Sequence, residues 1–322
     1  MKKVVLITTG GTIASKPSTD TGLLESGVMT GEELTSLCDL PSDMEIVIDS
    51  IFQVPSMHIT FNHLLRLKNR IEEHLKDENV AGIVVTHGTD SLEETAYFLD
   101  LTIDDPRTVA VTGSQRPPGV VGTDAYINIR HSVLVASNKE IRNFGTVVVF
   151  NERIFSARYV KKAHSSNPQG FTSFGYGYLG IIDNDVVLTY QRPSRTTVYQ
   201  IKNDLPSVDI IKSYINSDGK FIRCAIDSGV KGIIIEGVGR GQVTPNMVDE
   251  ITRGIKKGVY FVITTSAVEG HVFPAYDYDG SSYDLLTRGV ILGSDYDAKK
   301  ARLKLAVLLA SEEEEIERNF KV

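Results

Sequence analysis

Short clusters of hydroxyls, glycines and charged groups mark where this chain could act on a small ligand. Thr8-Thr9-Gly10-Gly11-Thr12 sets two glycines before a threonine, a pattern that turns the backbone tightly, brings peptide N–H groups close to a ligand and presents a hydroxyl. His87-Gly88-Thr89-Asp90-Ser91-Leu92-Glu93-Glu94-Thr95 adds a second hydroxyl and a carboxylate. If Ser91 caps a helix, Asp90 lies just outside its N-terminus, where the dipole favours the ionised form. Each pattern also has a plainer reading: a strand-to-helix turn for the first, a reinforced cap for the second. Lys161-Lys162 offers an amine, though a lysine pair is by itself most simply solvated surface.

These clusters share a location along the chain. Apolar, β-branched runs precede them at Val4 to Ile7, Ile46 to Ile51, Gly82 to Thr86, Val109 to Thr112, Thr146 to Phe150, Gly232 to Ile235 and Val259 to Thr264. Runs such as Gly82-Ile83-Val84-Val85-Thr86 are apolar on both faces, as buried parallel strands are. The segments leaving their carboxyl ends include Thr8 to Thr12, His87 to Asp90, Gly113-Ser114-Gln115-Arg116, Gly237-Val238-Gly239-Arg240-Gly241-Gln242 and Thr265-Ser266. In open α/β sheets the ligand crevice lies at that edge. Helix signals fall between the strands: capping-box spacing at Thr30/Glu33 and Ser91/Glu94, Thr244 before Pro245, an apolar stripe after Thr60, and a last helix from near Asp297.

Length and composition are consistent with this layout. The 322 residues carry 34 Lys and Arg against 41 Asp and Glu, so 34 − 41 gives −7, and 41% are hydrophobic. About two domains are expected, with roughly three quarters of the unfolded surface buried. Mild acidity argues against a nucleic-acid binder, and no apolar run approaches the roughly 20 residues of a membrane span. Cys38 and Cys224 suit a reducing, cytoplasmic compartment. Histidines 58, 63, 74, 87, 131, 164 and 271 are scattered without an i, i+4 ligand pair, so no metal centre is expected. The predicted architecture is α/β in two domains. A larger N-terminal domain, 1–190, has a mostly parallel sheet flanked by helices, flavodoxin- or Rossmann-like. A proline-bearing crossing, 191–210, leads to a smaller α/β domain, 211–322. The acidic end, Glu312 to Glu315 with Glu317, reads as a solvated, fraying tail.

Two of the motifs carry a resemblance. Thr9-Gly10-Gly11-Thr12-Ile13-Ala14 and His87-Gly88-Thr89-Asp90-Ser91-Leu92-Glu93-Glu94-Thr95-Ala96 resemble the two signatures of the bacterial-type L-asparaginases of the asparaginase/glutaminase family, cytoplasmic Bacillus-type forms among them. The similarity runs nearly end to end and includes Thr112 to Arg116, Lys162 and the Lys300-Ala301-Arg302 helix. It implies hydrolysis of L-asparagine to L-aspartate and ammonia, with weaker action on L-glutamine and no metal or organic cofactor. It also implies a homodimer or homotetramer whose sites combine the N-terminal domain of one chain with the C-terminal domain of another. By position, Thr12 matches the nucleophile, and Thr89, Asp90 and Lys162 match the second threonine, aspartate and lysine. Ser56 matches the serine that holds the substrate carboxylate, with Gly11 and Gly88 lining the pocket. Four positions depart from the family pattern. Leu23 stands where a lid tyrosine is usual, within the polar, glycine-bearing segment Ser15 to Met29. Met57 replaces a glutamine, and Gln242 and Ser282 stand for a partner-chain asparagine and glutamate. The alternatives are an ammonia-supplying transfer-RNA amidotransferase subunit, expected to carry an extra N-terminal domain, a non-catalytic amino-acid sensor, and, more remotely, a nucleotide-binding protein.

Overall fold

The computed structural model describes residues 2–194 and 197–320. Residues 195 and 196 of the expected crossing lie outside that range. The chain forms two compact units, Met1–Val198 and Tyr199–Val322.

In the first unit the strands are β1 (Lys2–Thr8), β2 (Lys16–Pro17), β3 (Leu24–Glu25), β4 (Met44–Ser50), β5 (Val80–Thr86), β6 (Val109–Thr112), β7 (Thr146–Phe150), β8 (Arg153–Ser156), β9 (Lys161–Lys162), β10 (Phe171–Thr172), β11 (Gly180–Asp183) and β12 (Val186–Thr189). Helices α1 (Gly31–Ser36), α2 (Phe61–His74), α3 (Leu92–Thr102) and α4 (Ala125–Ser137) accompany them. The main sheet has the order β12-β11-β8-β7-β6-β5-β1-β4. Strands β4, β1, β5, β6 and β7 are parallel, and β8, β11 and β12 extend the sheet antiparallel. The central strands are buried on both faces: all five residues of β7 are covered, whereas β12 at the edge is mostly exposed. Covering both faces with helices is what a continuous apolar run requires.

Counted in order of appearance, the parallel strands lie 2-1-3-4-5, so the winding reverses between β1 and β5. That reversal leaves a crevice at the carboxyl ends of these two strands. Their register pairs Thr8 with Thr86, so the threonine- and glycine-bearing segments following them leave the sheet side by side.

The second unit contains β13 (Val208–Lys212), β14 (Gly232–Gly237), β15 (Tyr260–Thr265) and β16 (Ile291–Leu292) in one parallel sheet of that order. Its helices are α5 (Lys220–Asp227), α6 (Pro245–Lys256), α7 (Ser282–Thr287) and α8 (Ala298–Ala310). Ile233, Ile235, Met247, Ile251, Phe261 and Leu285 form the centre of its core. Among the described residues no helix is long and apolar enough to cross a membrane.

The helix signals divide instructively. Thr30 and Glu33 form the expected reciprocal capping box, and Asp297 caps α8 through the Lys300 N–H. Ser91 occupies the cap position of α3 without capping it, because its hydroxyl donates to the Ser56 carbonyl at 2.7 Å. Thr244 behaves likewise, donating to the Ser217 carbonyl at 2.6 Å. In both cases a tertiary acceptor outcompetes the helix's own N–H groups. The acidic tail does not fray: Ile316 and Phe320 are buried, Phe320 packs edge-on against Tyr296, and its carbonyl accepts from Ser294. Two apolar anchors following the run of exposed carboxylates outweigh it.

Candidate active site

The site is built where β1 and β5 end. Thr9 donates to the Thr86 carbonyl through both its amide, at 3.2 Å, and its hydroxyl, at 2.8 Å, fastening the first loop to the second strand. Gly10 and Gly11 then take φ of 103° and 86°. Gly11, with ψ of −179°, lies in a region almost confined to glycine. It also runs against the second loop so closely that an added Cβ would sit 2.4 Å from both Cα and N of Gly88. A Cβ on Gly88 would in turn meet Ser56 at 2.8 Å from Cβ and 2.9 Å from Oγ. The Val54 N–H donates to the Thr9 carbonyl at 3.1 Å, which draws the Ser56 segment onto the first loop. Thr12, Gly11, Gly88 and Ser56 thus belong to three loops in direct contact.

Gly11→Ala is expected to cost at least about 2 kcal/mol in urea unfolding, from backbone strain plus backbone overlap. Because the loops must separate, turnover is expected to fall by about 10²-fold. A variant of wild-type stability and turnover would show that the close approach is not needed.

Thr89 and Asp90 leave β5 immediately before α3. From the hairpin β9–β10, Lys162 Nζ donates to Thr89 Oγ1 at 2.7 Å and to Asp90 Oδ1 at 2.6 Å. The lysine side chain is only 13% exposed, unlike ordinary surface lysine, while the Asp90 side chain is 64% exposed. The carboxylate is thus held by an ammonium on one side and open to an incoming cation on the other. Thr89 Oγ1 also lies 3.4 Å from Gln115 Oε1. Asp124 fixes the Gln115 segment by accepting from the Gln115 and Arg116 amides, each at 3.0 Å.

His87 underlies the second loop. Its Nδ1–H donates to the Gly88 carbonyl at 2.8 Å, and its Nε2, 2.9 Å from Thr95 Oγ1, accepts from that hydroxyl. Burial pushes its pKa from the ordinary 6.5 down to about 4, against a smaller upward pull from the Gly88 carbonyl. The imidazole is therefore neutral and structural. Between those two pH values the unfolded chain binds a proton that the native chain refuses, so stability is present above about pH 6.5 and lost as pH falls towards 4. The full loss is about 3 kcal/mol. Burial lowers His131 in the same direction. Urea unfolding at about pH 5 and about pH 7.5 is expected to show the loss, and His87→Asn, which is neutral throughout, to reduce it. Equal pH dependence in the two proteins would contradict this assignment.

Other positions singled out in the sequence lie as follows. Met57 follows Ser56 in a 3₁₀ turn, Ser56–His58, and is 70% exposed. Ser15 to Met29 forms the small β2–β3 hairpin rather than a helix, with Leu23 72% exposed; Ser26 Oγ accepts from the Gly11 amide at 3.0 Å. In the second unit, Gln242 Oε1 accepts from the Ser282 amide at 2.9 Å, and Ser282 Oγ donates to the Phe273 carbonyl at 2.7 Å. These two departures from the family pattern are thus partners of one another. The residue that sequence reasoning passed over is Glu93. It is one of two glutamates in the first turn of α3, and only Glu94 has capping-box spacing from Ser91. Among the described residues no group of three or more His, Cys, Asp and Glu side chains is placed to hold a metal ion.

Comparison with known proteins covers both units of the chain. Residues 3–195 match the Asparaginase, N-terminal, family and residues 207–320 the Glutaminase/Asparaginase C-terminal domain family. The chain is 62% identical to an L-asparaginase of Bacillus licheniformis over 99% of both chains. It is 35% identical to L-asparaginase 2 of Bacillus subtilis, covering 96% of this chain and 83% of that one. A crystal structure of a probable cytoplasmic L-asparaginase from Campylobacter jejuni superposes with a TM-score of 0.88 at 30% identity, covering 99% of both chains. With both halves matched in order and the signature loops meeting at the switch point of the sheet, this chain belongs to the asparaginase family.

Proposed function

We propose that this protein is an L-asparaginase that hydrolyses the side-chain amide of L-asparagine to L-aspartate and ammonia through a threonine nucleophile. The observation that carries the reading is the Lys162–Thr89–Asp90 cluster packed beside the Gly11–Thr12 loop. Asp90 receives the α-ammonium group of the substrate on its exposed side, and Ser56 with the neighbouring peptide N–H groups receives the α-carboxylate. Met57, whose thioether cannot donate, flanks this end of the pocket. Thr12 Oγ1 attacks the amide carbon, and the loop's N–H groups face the developing oxyanion. The C–N bond breaks, ammonia leaves with the transferred proton, and a β-aspartyl ester remains on Thr12. Water then attacks the ester, releasing L-aspartate and restoring the hydroxyl. Lys162 exchanges protons with the reacting groups through Thr89, the hydroxyl it already touches.

In this reading residues 1–190 carry the chemistry, and residues 211–322, joined by 191–210, complete a neighbouring chain's pocket through Gln242. The functional unit is then a homodimer or homotetramer, and the compartment is the cytoplasm. Ammonia release from L-asparagine and L-glutamine, measured with the oligomeric state recorded, tests it. Binding of L-asparagine without ammonia release would leave a sensor instead of an enzyme. A fully active monomer would overturn the shared site.

A further inference from the structure

Lys162 is gripped at both ends by one short stretch of chain. Its Nζ is held by Thr89 and Asp90, while its backbone N–H donates to Glu93 Oε2 at 2.5 Å. Glu93 lies in the first turn of α3 and is 1% exposed, an unusual burial for a carboxylate. The helix dipole and the donated N–H both favour a negative group there. The strand it contacts, β9, has only two residues and pairs on one side with β10, Lys162 opposite Phe171. A strand so short does not fix its own position, and a lysine arm has four rotatable carbons to lose in order.

We propose that Glu93 is a positioning residue for Lys162, setting where the lysine backbone enters the site so that its ammonium reaches Thr89 and Asp90 together. This rests on the role given to Lys162 above. The bond that carries this role runs to the lysine backbone and not to a reacting atom. Its effect is expected in turnover, because misplacement by about an ångström can cost 10²-fold while substrate contacts elsewhere persist.

The test compares Glu93→Met, which keeps volume but removes the acceptor, with Glu93→Gln, whose amide oxygen still accepts the Lys162 N–H. Both are made alone and in a Lys162→Met background. Glu93→Met is expected to lose about 10- to 100-fold in kcat with KM changed less than about threefold. The pH profile of its kcat/KM shifts, whereas that of Glu93→Gln coincides with wild type and its kcat stays above about a third of wild type. In the Lys162→Met background Glu93→Met costs less than about twofold more. The proposal is overturned if Glu93→Met turns over normally beside an inactive Lys162→Met, or if its cost is undiminished in that background. Normal turnover by Lys162→Met would instead overturn the role of the lysine. Should Glu93→Met fail to fold, Glu93→Gln decides: a folded variant as impaired as Lys162→Met refutes the positioning bond.

Discussion

Thr12→Ala is expected to lower ammonia release from L-asparagine by at least about 10³-fold while the protein keeps its fold. The separation of the two effects follows from local structure. Thr12 opens a 3₁₀ turn, Thr12–Ala14, whose anchors are the buried Ile13 and Ala14, and Ala14 receives support from the Gly11 carbonyl at 3.1 Å. The Thr12 hydroxyl has no hydrogen-bond partner among the described residues. Removing it leaves no buried group unpaired, so the stability change should remain within about 0.5 kcal/mol. What disappears is the only atom at this position able to form the acyl bond. Steady-state kinetics with a thermal melt on the same sample decide the matter, and turnover near that of wild type would remove Thr12 from the mechanism. Thr12→Ser, which retains a hydroxyl, should keep measurable activity.

Lys162→Met is the second large effect, with kcat reduced by about 10²- to 10⁴-fold, the range of a lost general acid–base group. Methionine keeps most of the apolar stem and removes the two bonds to Thr89 Oγ1 and Asp90 Oδ1. An ordinary ion pair with one exposed partner contributes about 1 kcal/mol or less, so the melting temperature should move little. The contrast between a small thermal effect and a deep kinetic one identifies a working group rather than a structural bridge. Asp90 also loses the cation that orients it, so a rise in KM is expected alongside the fall in kcat. A variant losing stability and activity in proportion would point to a structural role alone.

Much of the layout was legible in the residues. The doubly apolar runs located the central strands to within a few positions, and the glycine, threonine and aspartate clusters followed their carboxyl ends as expected for a crevice. Thr30 and Glu33 capped α1 as their spacing required, and Glu33 keeps its half of the box while its carboxylate also accepts from Lys16 Nζ at 3.0 Å. Ser91 carries equally suitable spacing, yet its hydroxyl turned to the Ser56 carbonyl, 35 residues away. Local capping rules cannot register an acceptor delivered by another loop. The acidic tail misled for a related reason: the charges are contiguous in sequence, whereas the apolar anchors Ile316 and Phe320 are isolated letters whose partners, such as Tyr296, lie elsewhere in the chain.

The chemical inventory, then, belongs to the sequence. It determined which side chains are available, that two glycine-bearing loops end buried parallel strands, and which family signatures they resemble. Three things were decided by tertiary structure alone. The order of the parallel strands placed β1 beside β5, so that two loops 75 or more residues apart leave the sheet from paired threonines. The packing of the two loops brought Gly11 against Gly88 backbone to backbone, an approach that leaves no room for a Cβ on Gly11. The β9–β10 hairpin then inserted Lys162 against Thr89, Asp90 and Glu93, converting an unremarkable lysine pair into a partly covered amine with defined partners. Local propensity acts over a few residues, but these contacts join positions 69 to 73 residues apart. Only the packing of the whole sheet brings them within reach.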